Sequence, residues 1–90
     1  MIRVQLVANE GCNHCAQVKN ILEKLAPEFP EMTREEIPMT SPKGIETIQK
    51  YGIMASPGVI INDRLAFSGG GTEKQIRKAL QDARNQRSQE

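Results

Sequence analysis

The sequence predicts a small α/β domain in the order β-α-β-α-β-β-α, a four-stranded mixed sheet with helices on both faces. Three observations predict it. Apolar residues recur at steps of three and four in three segments, short β-rich runs lie between them, and Gly, Pro, Asn and Asp punctuate the junctions. Ninety residues with 38% apolar side chains make one domain and leave no room for a second.

Residues 2–8 contain β-branched Ile2, Val4 and Val7, a run long enough for a strand and too short for a helix. Asn9-Glu10-Gly11 breaks it. From Cys12 the pattern is helical: Cys15, Val18, Leu22 and Leu25 form one stripe, widened by Ile21, and Pro27 and Pro30 end it. Residues 31–37 hold Thr33 and Ile37, which suit a strand, beside Glu35 and Glu36, which do not; an edge strand reconciles them.

Ser41-Pro42 opens a second helix, with Ser as cap and Pro at the first helical position. Ile45 and Ile48 give this helix a narrow apolar face, and Gly52 is a left-handed stop. Val59-Ile60-Ile61 and Leu65-Ala66-Phe67 form a hairpin through Asn62-Asp63-Arg64, whose Asn and Asp tolerate positive φ. After Gly69-Gly70-Gly71, Thr72 with Gln75 is a capping-box signature for a last helix with Ile76, Ala79, Leu80 and Ala83 inward. The domain is expected over 1–84, with 85–90 a polar tail that frays. The first two strands should be parallel through a right-handed crossover, and the last two antiparallel.

Composition excludes several function classes. Twelve basic and eleven acidic side chains leave a formal charge of +1 with no block of one sign, so a nucleic-acid-binding face is not expected. Phe29, Tyr51 and Phe67 are too few and too scattered to stack bases, and they leave the core to aliphatic side chains. No run of eighteen apolar residues exists to span a membrane, and the first residues enter a strand pattern without the apolar stretch of a signal peptide. A soluble, cytoplasmic, monomeric protein is expected.

The two cysteines fall in Cys12-Asn13-His14-Cys15. So close a pair staples almost nothing, and in a reducing compartment it reads as redox chemistry or as half of a metal site. A cysteine at a helix start meets unsatisfied N–H groups and the positive end of the dipole, and both favour its thiolate. Cys12 is therefore the expected nucleophile. Cys15, one turn inward on the apolar stripe, is the expected resolving thiol.

The rival reading is a non-catalytic metal-binding or metal-delivery module with Cys12 and Cys15 as thiolate ligands. Zinc takes four ligands and only Cys12, His14 and Cys15 are local, so such a site would be shared between two chains. His14 is the single histidine. Protonated, it would stabilise a neighbouring thiolate, although the helix dipole resists a cation there. Its ring is expected to turn toward Cys12 and modulate it.

A Cys-x-x-Cys directly after the first strand of this element order resembles the minimal thioredoxin fold of glutaredoxins, and is similar to short prokaryotic thioredoxin-like redox-active disulfide proteins. Gly11-Cys12-Asn13-His14-Cys15, Tyr51-Gly52-Ile53-Met54-Ala55-Ser56-Pro57, and Val59-Ile60-Ile61-Asn62 through Ser68-Gly69 carry the likeness, which covers residues 2–84. The resemblance implies thiol–disulfide exchange with Cys12 attacking, Cys15 resolving and no bound cofactor. It implies that Pro57 is a cis-proline facing the cysteines and that Ser56 pairs with an extended substrate through its main chain. Partners would be protein disulfides on one side and a reductase or low-molecular-weight thiol on the other.

The chain also departs from the pattern. Gly11 stands where thioredoxins have Trp, Asn13-His14 where they have Gly-Pro, and Leu6 where they carry a buried acid. Of the glutathione-gripping features of glutaredoxins it keeps Pro57, and Gly69-Gly70 followed by one acid, Glu73. Three further features have ordinary readings. The glycine run is a turn before it is an anion site; Met39 and Met54 suit either core or an apolar rim; and Glu28, Glu31, Glu35 and Glu36 make a solvated edge.

Overall fold

The structure is a computed structural model that describes residues 2–9 and 11–87, the last three of these by backbone alone. Strand β1 (Ile2–Ala8) leads to helix α1 (Asn13–Leu25), a 3-10 turn (Ala26–Glu28) and β2 (Met32–Pro38). Helix α2 (Pro42–Tyr51), β3 (Gly58–Ile61), β4 (Arg64–Ser68) and α3 (Glu73–Arg87) follow. One sheet carries the four strands in the order β2-β1-β3-β4, with β1 and β2 parallel and the other two pairings antiparallel. The expected architecture is present.

The two central strands divide the core. Ile2, Val4, Leu6 and Ala8 of β1 join Val59 and Ile61 of β3 under α1 and α3, which supply Cys15, Val18, Leu22, Leu25, Ile76, Leu80 and Ala83. On the other face Val7, Ile37, Ile53 and Ile60 form a smaller cluster, against which Ile48 and Tyr51 pack. Burying one such aliphatic side chain contributes about 1.5–3 kcal/mol, so the larger cluster dominates the fold. Edge strand β2 keeps Arg34, Glu35 and Glu36 exposed and buries only Ile37, a charged edge that discourages pairing with another chain.

Helix ends follow the sequence signals closely. Ser41 Oγ accepts the Gly44 N–H at 2.9 Å, and Gly52 stops α2 at φ 66°. At α3 the capping box is reciprocal: Thr72 Oγ1 accepts the Gln75 N–H at 3.2 Å while Gln75 Oε1 accepts the Thr72 N–H at 3.0 Å.

Four details differ from expectation. The hairpin turn is two residues, Asn62 (φ 51°) and Asp63 (φ 64°), and Arg64 already belongs to β4. Opposite it the ladder slips, with Val59 facing Phe67 and Ile60 facing Leu65, so Ala66 is an extra bulged residue. Ile45 is 50% exposed rather than part of the inward face of α2. Gly44 makes the close approach instead, because a Cβ there would fall on the Pro38 carbonyl oxygen. Helix α3 also runs three residues into the expected tail, to Arg87, since no Gly or Pro there interrupts the backbone hydrogen bonding. Ser88, Gln89 and Glu90, the rest of that tail, lie outside the described residues, as do Met1 and Glu10 of the expected chain break.

Candidate active site

The site forms where β1 gives way to α1. Gly11, at φ 77°, turns the chain, and the Cys12 N–H donates to the Asn9 carbonyl at 3.4 Å. Cys12 is the N-cap of α1, one residue ahead of the helix, with extended φ −84° and ψ 117°. Its Sγ accepts the Cys15 N–H at 3.2 Å, filling the capping place that a Ser or Asp oxygen usually takes. Cys15 is only 5% exposed and packs into the larger core cluster, while Cys12 is half-buried; both are free thiols.

The two sulfurs are pushed in opposite directions. The Cys15 thiol and N–H, with smaller help from the Ser56 hydroxyl and the His14 backbone N–H, hold the Cys12 thiol below its ordinary value. Burial pushes Cys15 up, and a negative neighbour at Cys12 adds to that. The outer cysteine is thus the stronger acid.

A second loop completes the site. Ser56 Oγ lies 3.7 Å from Cys12 Sγ, and the Ser56–Pro57 peptide bond is cis. Ser68, at the end of β4, accepts the Met54 and Ala55 N–H groups at 3.1 and 3.2 Å, and the Gly69 N–H donates to the Pro57 carbonyl at 2.9 Å. Ser68 therefore holds the Ser56 loop in place. Sequence reasoning did not single it out, because an isolated serine at a strand end carries no local signal. Gly69 and Gly70, at φ 96° and 100°, make the turn that returns to α3, and a Cβ on Gly70 would touch Pro57, Val18 and His14. Met54 is 93% exposed at the rim, whereas Met39 packs on the smaller core cluster.

His14 stands apart from the expected constellation. It is exposed, and among the described residues no hydrogen bond reaches its imidazole; it acts on Cys12 through its backbone N–H. Side chains two positions apart at a helix start do not face each other, which is the physical reason. Among the described residues no three His, Cys, Asp or Glu side chains gather as a metal cluster. None of their helices is long and apolar enough to cross a membrane.

Fold and site together define a class of protein: a small mixed α/β domain with a dithiol at the start of its first helix, facing a cis-proline loop. A family profile described as thioredoxin domain matches residues 2–81, and the chain belongs to that family. It is 29% identical over 79 residues to a thioredoxin of Methanocaldococcus jannaschii, covering 88% of this chain and 92% of that one. With a probable thioredoxin of Archaeoglobus fulgidus it shares 24% over 80 residues, 89% of this chain and 87% of the other. Mitochondrial thioredoxin 3 of Saccharomyces cerevisiae, in its oxidized form, superposes with a TM-score of 0.71 at 15% identity, covering 90% of this chain and 77% of that one. Thioredoxin-2 of a malaria parasite gives 0.73 at 10% identity, with 91% and 82% covered. The last two likenesses concern the fold alone.

Proposed function

We propose that the protein is a thiol–disulfide oxidoreductase acting on protein or small disulfides, with Cys12 as nucleophile and Cys15 as resolving thiol. One observation carries this reading: the less buried sulfur of the pair caps the helix, accepts the Cys15 N–H at 3.2 Å and is the one whose thiolate is favoured. Cys12 thiolate attacks one sulfur of a substrate disulfide, forming a mixed disulfide and expelling the other sulfur as a thiolate. Cys15 then attacks Cys12 Sγ, releasing the substrate's remaining thiol and closing the Cys12–Cys15 bond. The substrate gains two electrons and the dithiol loses two.

Pro57, its carbonyl held by the Gly69 N–H, fixes Ser56 beside Cys12, where the Ser56 main chain would pair with an extended substrate segment, and exposed Met54 adds apolar surface. No cofactor enters the scheme. A reductase or low-molecular-weight thiol regenerates the dithiol, and a reducing cytoplasm suits a pair that must return to thiols.

Variants test the assignment. Cys12→Ser should abolish reduction of insulin disulfides, whereas Cys15→Ser should still attack and accumulate mixed disulfides visible by mass spectrometry. Adducts on Cys15 in the Cys12→Ser protein, formed as fast as on Cys12, would reverse the roles. Stoichiometric zinc on the purified protein would favour a metal-binding module instead. The midpoint potential sets the direction of electron flow: near about −270 mV it describes a reductant, near about −120 mV an oxidant.

A further inference from the structure

Cys15 has to lose a proton before it attacks, and the groups described so far do not take it. In the mixed disulfide Cys12 Sγ is bonded to the substrate and no longer accepts a proton. The Asn9 N–H and the Ser56 hydroxyl favour the Cys15 thiolate without removing its proton. The position of β1 that faces the cysteines is Leu6, which is apolar and buried.

On one side, however, Cys15 borders a cleft of about 160 Å³ between the end of β1, the start of α1 and β2. Besides the cysteines, the titratable side chains lining it among the described residues are Lys19 of α1 and Glu36 of β2. Glu36 pairs in parallel register with Leu6, which puts its side chain on the Cys15 side of the sheet. Lys19 Nζ and Glu36 Oε2 meet at 3.2 Å, bridging helix and strand, and both side chains remain just over half exposed. The same pair also borders a groove of about 410 Å³ along β2. The ion pair thus stands where the cysteine cleft opens to solvent.

Resting on the roles proposed above, we propose that Glu36 is the proton acceptor for Cys15, through water in the cleft, and that Lys19 positions its carboxylate. The cleft volume accommodates a short water bridge, with polar groups at both ends. The Cys15 S–H proton passes to the Glu36 carboxylate, and the thiolate attacks Cys12 Sγ. The Cys12–substrate bond breaks as the Cys12–Cys15 bond forms. The departing substrate sulfur, a thiolate, takes back the proton held on Glu36, so charge and electrons balance.

The two steps separate when the reduced protein reacts with 5,5′-dithiobis(2-nitrobenzoate). Attack by Cys12 releases one coloured thiolate, and resolution by Cys15 releases the second. In Glu36→Gln the first release should keep its rate while the second slows roughly tenfold or more at neutral pH, within the reach of general-base catalysis. That deficit should shrink as pH rises and solvent base takes over. Lys19→Met should slow the second release less than Glu36→Gln does, and Lys19→Arg should restore it. A second release at the wild-type rate in Glu36→Gln, or a slowing that pH leaves unchanged, overturns the role of Glu36. Two equally slowed phases would do the same. Release of only one thiolate per molecule of the unsubstituted protein would instead overturn the dithiol mechanism itself.

Discussion

Cys12 and Cys15 are chemically identical and three residues apart, so their difference comes from surroundings alone. Helix position makes the first a cap and buries the second, and each shift follows. The groups acting on Cys12 have an order that titration can check. Thiolate absorbance near 240 nm should show Cys15→Ala raising the Cys12 midpoint most and Ser56→Ala raising it less, since Cys15 is the larger influence. His14→Ala should leave the curve superimposable on wild type, because its backbone N–H survives the substitution. A curve displaced upward by His14→Ala would restore the imidazole as a modulator. The sequence placed His14 between two cysteines, but residue spacing gives no ring direction. That direction depends on side-chain rotamers, which local sequence leaves free on an exposed turn.

Elements obeyed their end signals better than their face signals. Both helix N-termini with a Ser or Thr cap and the Gly52 stop formed where the residues predicted, since capping is settled within four residues. The inward face of α2 is different, because Ile45 points to solvent while Gly44 carries the contact with β2. In an open helix glycine-to-alanine stabilises by about 1 kcal/mol. Here a Cβ would fall on the Pro38 carbonyl, so Gly44→Ala should destabilise by about 1–3 kcal/mol as α2 is forced off the sheet. Urea unfolding measures it, and a stabilised variant would mean the helix shifts without cost. The edge position of β2 was legible from its glutamates, which tolerate exposure that a central strand would deny them.

Across the whole molecule, α3 closes the fold by packing on α1 and anchoring to the chain that precedes β2. Arg84 binds the Glu31 carboxylate through two nitrogens at 2.8 and 3.0 Å and donates to the Glu28 carbonyl at 3.1 Å. Its guanidinium lies 4.5 Å from the centre of the Phe29 ring. Arg84 holds the Glu31 carboxyl below the usual carboxylate range. The folded state therefore gains from this pair above that range and loses the gain as acid protonates Glu31. Arg84→Met should lower Tm by a few degrees at neutral pH, and the gap should narrow in acid. A gap that stays constant from pH 7 to pH 3 would assign the loss to packing on Phe29 instead.

Periodicity, caps and turn residues determined the element order, the β3–β4 hairpin and the dithiol at the start of α1, because each is encoded within a few consecutive residues. The rule of right-handed crossovers added the parallel β1–β2 pair, and the antiparallel β1–β3 pairing came only from the fold. Tertiary structure alone decided what meets what across the chain. It brought Ser56 to 3.7 Å from Cys12, tied that loop to Ser68 and set Lys19 and Glu36 at the mouth of the Cys15 cleft. These contacts join residues separated by 14 to 44 positions. Nothing in a local window fixes such a distance; it is set by the register of four strands and the helices packed over them.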